Sequence, residues 1–224
     1  VFSAGVAGFA GAFSDKFLAG NYTIAFGAPG NPIGAYVVAL LAVEIVSLYA
    51  GKTKLDIILI PLGTLLLSFA GFYLAYPFVW LIGKLGVLIA KATAITPFFM
   101  GVVISVIMGI LLTMPTSSAA IWVSVASPVV AGYAAGSVTA SEYNAMLLAG
   151  GAAVVGCSCH MIGFAVSSFR ENGVSGLISQ GIGTSMLQIP NIMKKPVIML
   201  PEILASAILG PLSTCLFHLK CNVA

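Results

Sequence analysis

The stretch Pro97–Gly136, PFFMGVVISVIMGILLTMPTSSAAIWVSVASPVVAGYAAG, contains no charged residue. The uncharged tract is wider still and runs from Ala92 to Ser141. A helix rises about 1.5 Å per residue, so about 20 apolar residues cross the hydrocarbon core of a bilayer. The tract therefore reads as two apolar segments, Pro97–Met114 and Ala119–Gly136, separated by Pro115-Thr116-Ser117-Ser118. Two readings of that break compete. It is either a tight turn between spans or an unwound tip inside the membrane. The second needs cover from protein or a wet cavity, because lipid satisfies no backbone group.

The rest of the chain has the same character. Of 224 residues, 7% are charged and 60% hydrophobic, and the mean hydropathy is +1.12. A soluble domain carries about 25% charge, so this chain cannot coat a watery surface. Its apolar runs are long and continuous, whereas barrel strands would alternate over about ten residues. The fold class is all-α. We expect a polytopic membrane protein with about six transmembrane helices plus re-entrant or broken segments, and the bilayer as its surroundings. The net charge of +3 includes no basic run suited to nucleic acid. Cys157, Cys159, Cys215 and Cys221 read as small buried hydrophobes. The spacing C-S-C-H suits neither a zinc site nor a disulfide framework.

Further spans are expected at Ile33–Ala50, Ile57–Ile82, Tyr143–Phe169 and Val197–Leu219. Lys84–Thr96 carries two lysines seven residues apart, a pattern that suits a helix lying in the interface. Leu18–Pro32 is rich in Gly, Asn and Pro and reads as a loop or broken segment. Ser141 is the expected N-cap of the span that follows it. The opening apolar run, Phe2–Phe13, has no basic region ahead of it and does not read as a signal peptide. The chain is expected to be truncated at its N-terminus. Basic residues flank single spans on both sides, so they assign no orientation.

Ionisable and amide residues are scarce enough to weigh singly. Glu44 sits inside the run VVALLAVEIVSLY. It is either a substrate or proton site, or an interfacial partner of Lys52 or Lys54. Asn31, before Pro32, is either an N-cap or part of a ligand-attracting helix start. The stretch GCSCHMIGFAVSSFRENG, Gly156–Gly173, places His160 eleven residues before Glu171. That is about three helical turns, so the two share a face but cannot touch. His160 is either a core residue bonded to a neighbouring helix or part of a polar stripe. Arg170, Glu171 and Asn172 then lead into LISQGIGTSMLQIPNI, Leu177–Ile192, which is uncharged yet dense in amides and hydroxyls. Gln180, Thr184 and Gln188 are its candidate binding residues. Such neutral groups suit polyol hydroxyls, which both donate and accept. They also serve as interhelical glue. No P-loop, dinucleotide turn or zinc helix occurs, so no cofactor, metal site or catalytic residue is expected.

Four phrases carry a family resemblance: GNPIGAYVVALLAVEIVSLYAGKTKLDIILIPLGT, GILLTMPTSSAAI, MIGFAVSSFRENGVSGLISQGIGTSMLQIPNI and PEILASAILGPLST. They resemble the phosphotransferase-system IIC-like membrane proteins of the group that includes the perfringolysin regulator. The resemblance runs from about Asp15 to Leu219. It implies one transmembrane permease domain over residues 1–224, shorter at both ends than the family's chains. It also implies the bacterial inner membrane, a sugar or other small polar solute as cargo, and commonly a homodimer. No IIA or IIB domain is visible, so phosphorylation would fall to a separate cytoplasmic IIB partner. Two other readings stand beside it. One is an ion- or proton-coupled transporter of an organic solute. The other is a membrane sensor that does not transport.

Overall fold

The computed structural model describes residues 2–14, 18, 31–114 and 117–222. They form helices joined by turns, and no strand occurs among them. The α-helices are α1 (Phe2–Ala12), α2 (Pro32–Tyr49), α3 (Asp56–Ile95), α4 (Pro97–Thr113), α5 (Ser118–Ala134) and α6 (Ala140–Ser167), followed by α7 (Phe169–Ile178), α8 (Ile189–Lys194) and α9 (Leu200–Pro211). Among the described residues, four helical stretches are long and apolar enough to cross a membrane: Pro32–Tyr49, Asp56–Ile95, Ala140–Ser167 and Pro196–Leu216. Ser3–Ala12, Pro97–Thr113 and Ser118–Ala134 are shorter apolar helices.

The chain forms two compact units, one from residues 1–85 and 123–128 and the other from 86–122 and 129–223. In the first, Ala7, Val38, Ala42 and Ala75 make a core of small side chains. Small residues let helix backbones approach closely where lipid supplies no hydrophobic drive between helices. Gly11 illustrates this: a Cβ there would overlap the Gly34 carbonyl and Val38. Thr64 Oγ1 on α3 donates to Ser3 Oγ on α1 at 2.9 Å. Asn31 is the N-cap of α2. Its side chain accepts from the Ile33 and Gly34 amides at 3.0 and 3.2 Å, with Pro32 at the first helical position.

Several boundaries differ from the sequence reading. Helix α3 does not stop near Ile82. It runs on to Ile95, so Lys84–Thr96 is not a separate helix. Pro61 and Pro77 both lie inside it, and neither ends it. The N-cap of α6 is Thr139, not Ser141. Thr139 and Glu142 form a reciprocal capping box. The T-x-x-E spacing that encodes the box outweighs a lone serine two residues later. Most of the Leu18–Pro32 loop lies outside the described residues, as do Pro115 and Thr116 of the break. Ser117 caps α5 through the Ala120 amide.

The second unit is built on α4, α6 and α9. Ser105 on α4 is fully buried and donates to the Ser206 carbonyl on α9 at 2.7 Å. A Cβ on Gly156 would overlap the Ser105 carbonyl, and one on Gly210 would overlap Ser105 and the Gly101 carbonyl. Glycine at these positions brings the three helices together. Phe164, Ile192 and Met199 form the apolar core at one end of this group, flanked by Ile110, Ile198 and Ile203. The end of α6 is therefore anchored by packing just where the polar residues begin.

Candidate functional site

Helix α6 ends at Ser168, whose backbone has φ −92° and ψ 5°. The shared face expected for His160 and Glu171 therefore stops after Ser167. Glu171 and Asn172 lie beyond the break, on α7. That helix is kinked at Gly173, with φ 58° and ψ −155°, a conformation essentially confined to glycine. A π-type turn at Ser179–Gly183 and a 3₁₀ turn at Ser185–Gln188 follow. They bring the chain back against α6, where a Cβ on Gly181 would lie 3.5 Å from Ala165.

This return encloses an open cleft of about 460 Å³, within the range of small-molecule sites. Phe164, Ile198 and Pro201 give it apolar surface, and Ser167, Ser168, Glu171, Asn172, Gln188 and Asn191 give it polar surface. Of the sequence candidates, Glu171, Asn172 and Gln188 meet here. Among the described residues, no lysine or arginine lines it. Arg170 is exposed and outside the lining.

Three amides form a chain, with Asn191 and Gln188 in the wall and Gln180 behind it. Asn191 Nδ2 donates to Gln188 Oε1 at 2.8 Å, and Gln188 Nε2 donates to Gln180 Oε1 at 3.0 Å. Ser168 Oγ is 3.3 Å from the same Gln180 oxygen and 2.7 Å from the Phe164 carbonyl, so its one proton has two acceptors. Gln180 and Gln188 are 3% and 5% exposed. Amides this buried need partners, and each supplies the other's. Thr184 plays a local part, its side chain accepting from the Met186 amide.

A second polar cluster lies deeper, along α6 and α9. His160 is 0% and Glu202 1% exposed. Each faces a glycine: a Cβ on Gly109 would overlap the His160 ring, and one on Gly163 would overlap the Glu202 side chain. His160 Nδ1 lies 3.2 Å from both the Gly156 carbonyl and Ser206 Oγ. Ser206 Oγ also donates to the Glu202 carbonyl at 2.8 Å. His160 thus bonds to a neighbouring helix, as the core reading expects. Glu202 is a functional candidate that the sequence reading misses. The signal for it is the one applied to Glu44, a carboxylate inside an apolar span. Ser167 joins the two clusters: it lines the cleft, and its Oγ donates to Glu202 Oε1 at 3.3 Å. His160 Nε2 and Glu202 Oε2 are buried without a hydrogen-bond partner among the described residues.

Asn31 and Glu44 belong to the other unit. Asn31 is occupied as a cap. Glu44 is exposed on α2 and makes no ion pair with Lys52 or Lys54. The ion pair seen among the described residues is Lys91–Glu142, at 3.9 Å. No group of three or more His, Cys, Asp or Glu side chains gathers there as a metal would require.

The cleft thus offers hydroxyls, amides and a single carboxylate beside an apolar wall, in a helical protein with membrane-length segments. A family model, "Phosphotransferase system, EIIC", matches residues 1–224. No curated protein and no solved structure matches the chain. From the match over its whole length, the chain belongs to the phosphotransferase system EIIC family, and is a multi-pass, permease-type transporter of the bacterial inner membrane.

Proposed function

We propose that this permease binds an unphosphorylated sugar or polyol in the cleft between α6, α7 and the 179–201 segment, and carries it across the membrane. The observation that carries the reading is the amide chain Asn191–Gln188–Gln180, which runs from the cleft wall to the buried Gln180 behind it. Neutral amides with fixed directions complement hydroxyls that donate and accept at once. The Phe164, Ile198 and Pro201 side suits the apolar face of a sugar ring. Glu171, Asn172, Ser167, Ser168 and Gln188 are the ligand-binding residues, and Gln180 is a positioning residue. His160 and Glu202 support Ser167 and the packing of α6 on α9. Asn31, Glu44, Arg170 and Thr184 do not touch the ligand in this reading.

A separate cytoplasmic IIB protein supplies the phosphoryl group, and the working unit is a homodimer. Family membership, rather than a residue of this chain, supports both parts of this reading. Transport assays with a panel of sugars and polyols, with and without phosphorylated IIB, test the proposal. Uptake of at least one sugar that requires phosphorylated IIB supports it. Uptake that ignores IIB and follows a proton or sodium gradient replaces it with the coupled-transporter reading.

A further inference from the structure

We infer that the cleft takes a disaccharide, with one ring at its floor and the second at its rim. The inference rests on the proposed sugar site and names the class of sugar that fills it.

Three observations combine. The first is size. A water molecule takes about 30 Å³ of liquid, so a cleft of about 460 Å³ has room for about fifteen. A single sugar ring with its hydroxyls displaces about six of them, and a two-ring sugar about twelve. One ring therefore leaves more than half of the cleft to water, and two rings fill most of it. The second is depth. Phe164 and Gln188 are 2% and 5% exposed and mark the floor. Glu171, Asn172 and Pro201 are exposed and mark the rim of the same lining. The third is that both levels have the same make-up. The floor sets the apolar Phe164 beside the amide of Gln188, and the rim sets the apolar Pro201 beside Glu171 and Asn172.

A sugar ring has an apolar C–H face and an edge of hydroxyls that donate and accept. The combination that suits one ring therefore occurs twice, at two depths. Small-molecule sites bury about 70–90% of their ligand's surface, and a lone ring on the floor leaves the rim groups facing water. A second ring covers the rim. It adds apolar contact with Pro201 and brings further hydroxyls to Glu171 and Asn172. The rim residues thus act on the second ring, and Gln188 acts on the first.

The test uses the full chain in lipid nanodiscs. Titration calorimetry compares a panel of hexoses and hexitols with disaccharides of different linkage, for wild type, Asn172→Ala and Gln188→Ala. The expected result is that at least one disaccharide binds wild type at least about tenfold more tightly than every hexose and hexitol. Asn172→Ala should narrow that gap several-fold. Gln188→Ala should weaken both classes and leave the gap between them. Asn172 is exposed, and the atom it sets closest to a Cβ built on Gly176 is its own Cβ, which alanine retains, so the variant keeps its fold. A hexose that binds as tightly as every disaccharide overturns the inference while leaving the sugar site standing. So does a gap unchanged by Asn172→Ala. Failure of every sugar to bind overturns the proposed site and the inference together.

Discussion

Ser167 Oγ lies 3.3 Å from Glu202 Oε1, and so ties a cleft-lining hydroxyl on α6 to a buried carboxylate on α9. It also lies 3.4 Å from the Phe164 carbonyl. With the hydroxyl proton directed to Glu202, the oxygen lone pairs remain available to a ligand donor. Ser167→Ala removes one such hydrogen bond, worth about 0.5–1.5 kcal/mol net. Ligand affinity should fall about 2–10-fold, and the unfolding midpoint should fall as well because the buried Glu202 Oε1 loses its partner, as titration calorimetry and thermal unfolding would show. An affinity equal to wild type would remove Ser167 from the ligand-binding set.

The amide chain should be more sensitive. Gln188 is the middle member, donating to Gln180 and accepting from Asn191. Gln188→Ala leaves the buried Gln180 without that donor, at about 1–3 kcal/mol, and frees Asn191 to rotate. Ligand binding should weaken by at least about tenfold, a larger effect than removing the Ser167 hydroxyl. Equal weakening in the two variants would mean that the chain does not act as a unit.

Gly109 should prove irreplaceable for a different reason. A side chain there meets the His160 ring and the Gly156 carbonyl. Gly109→Val should cost about 1–3 kcal/mol through overpacking. His160→Ala clears part of the space, so the double variant should be more stable than the two single costs added together. Strict additivity in a double-mutant cycle would contradict this packing of Gly109 against His160.

Gly173 isolates backbone strain from packing. No atom lies within 4 Å of a Cβ built there, yet its φ is +58°. Gly173→Ala should cost about 1–3 kcal/mol and weaken binding by moving Glu171 and Asn172. Gly183 also has open space around it but no positive φ. Gly183→Ala should stay within about 0.5 kcal/mol of wild type.

Thr139 tests the opposite end of α6. Thr139→Ala breaks the capping box and should cost about 0.5–2 kcal/mol. The cap and Ser167 are separated by the 28 residues of α6, or about 42 Å. Thermal stability should fall while ligand affinity stays at the wild-type value.

The helical membrane architecture is legible in the sequence because composition decides it: a chain 7% charged has few alternatives. Helix starts with a capping signal, such as Asn31 before Pro32, are legible too. The extent of α3 is not. Two prolines and two lysines suggest boundaries, but proline costs little where its lost hydrogen bond is satisfied by neighbouring groups. The cleft is half legible. An amide-rich run after a span points to Glu171, Asn172 and Gln188. Glu202 and Ser167 depend on how α9 packs against α6, a pairing that no local pattern encodes. Glu44 looks the sharper carboxylate in the sequence because burial cannot be read from one span. Glu202 is the buried one of the two.

The most direct test of the central claim is uptake of labelled sugars by vesicles carrying wild type or Gln188→Ala, with and without phosphorylated IIB inside. The account predicts IIB-dependent uptake of at least one sugar by wild type. It predicts strongly reduced uptake in the variant at equal levels of folded protein. Undiminished uptake by the variant, or no IIB-dependent uptake by wild type, would contradict it.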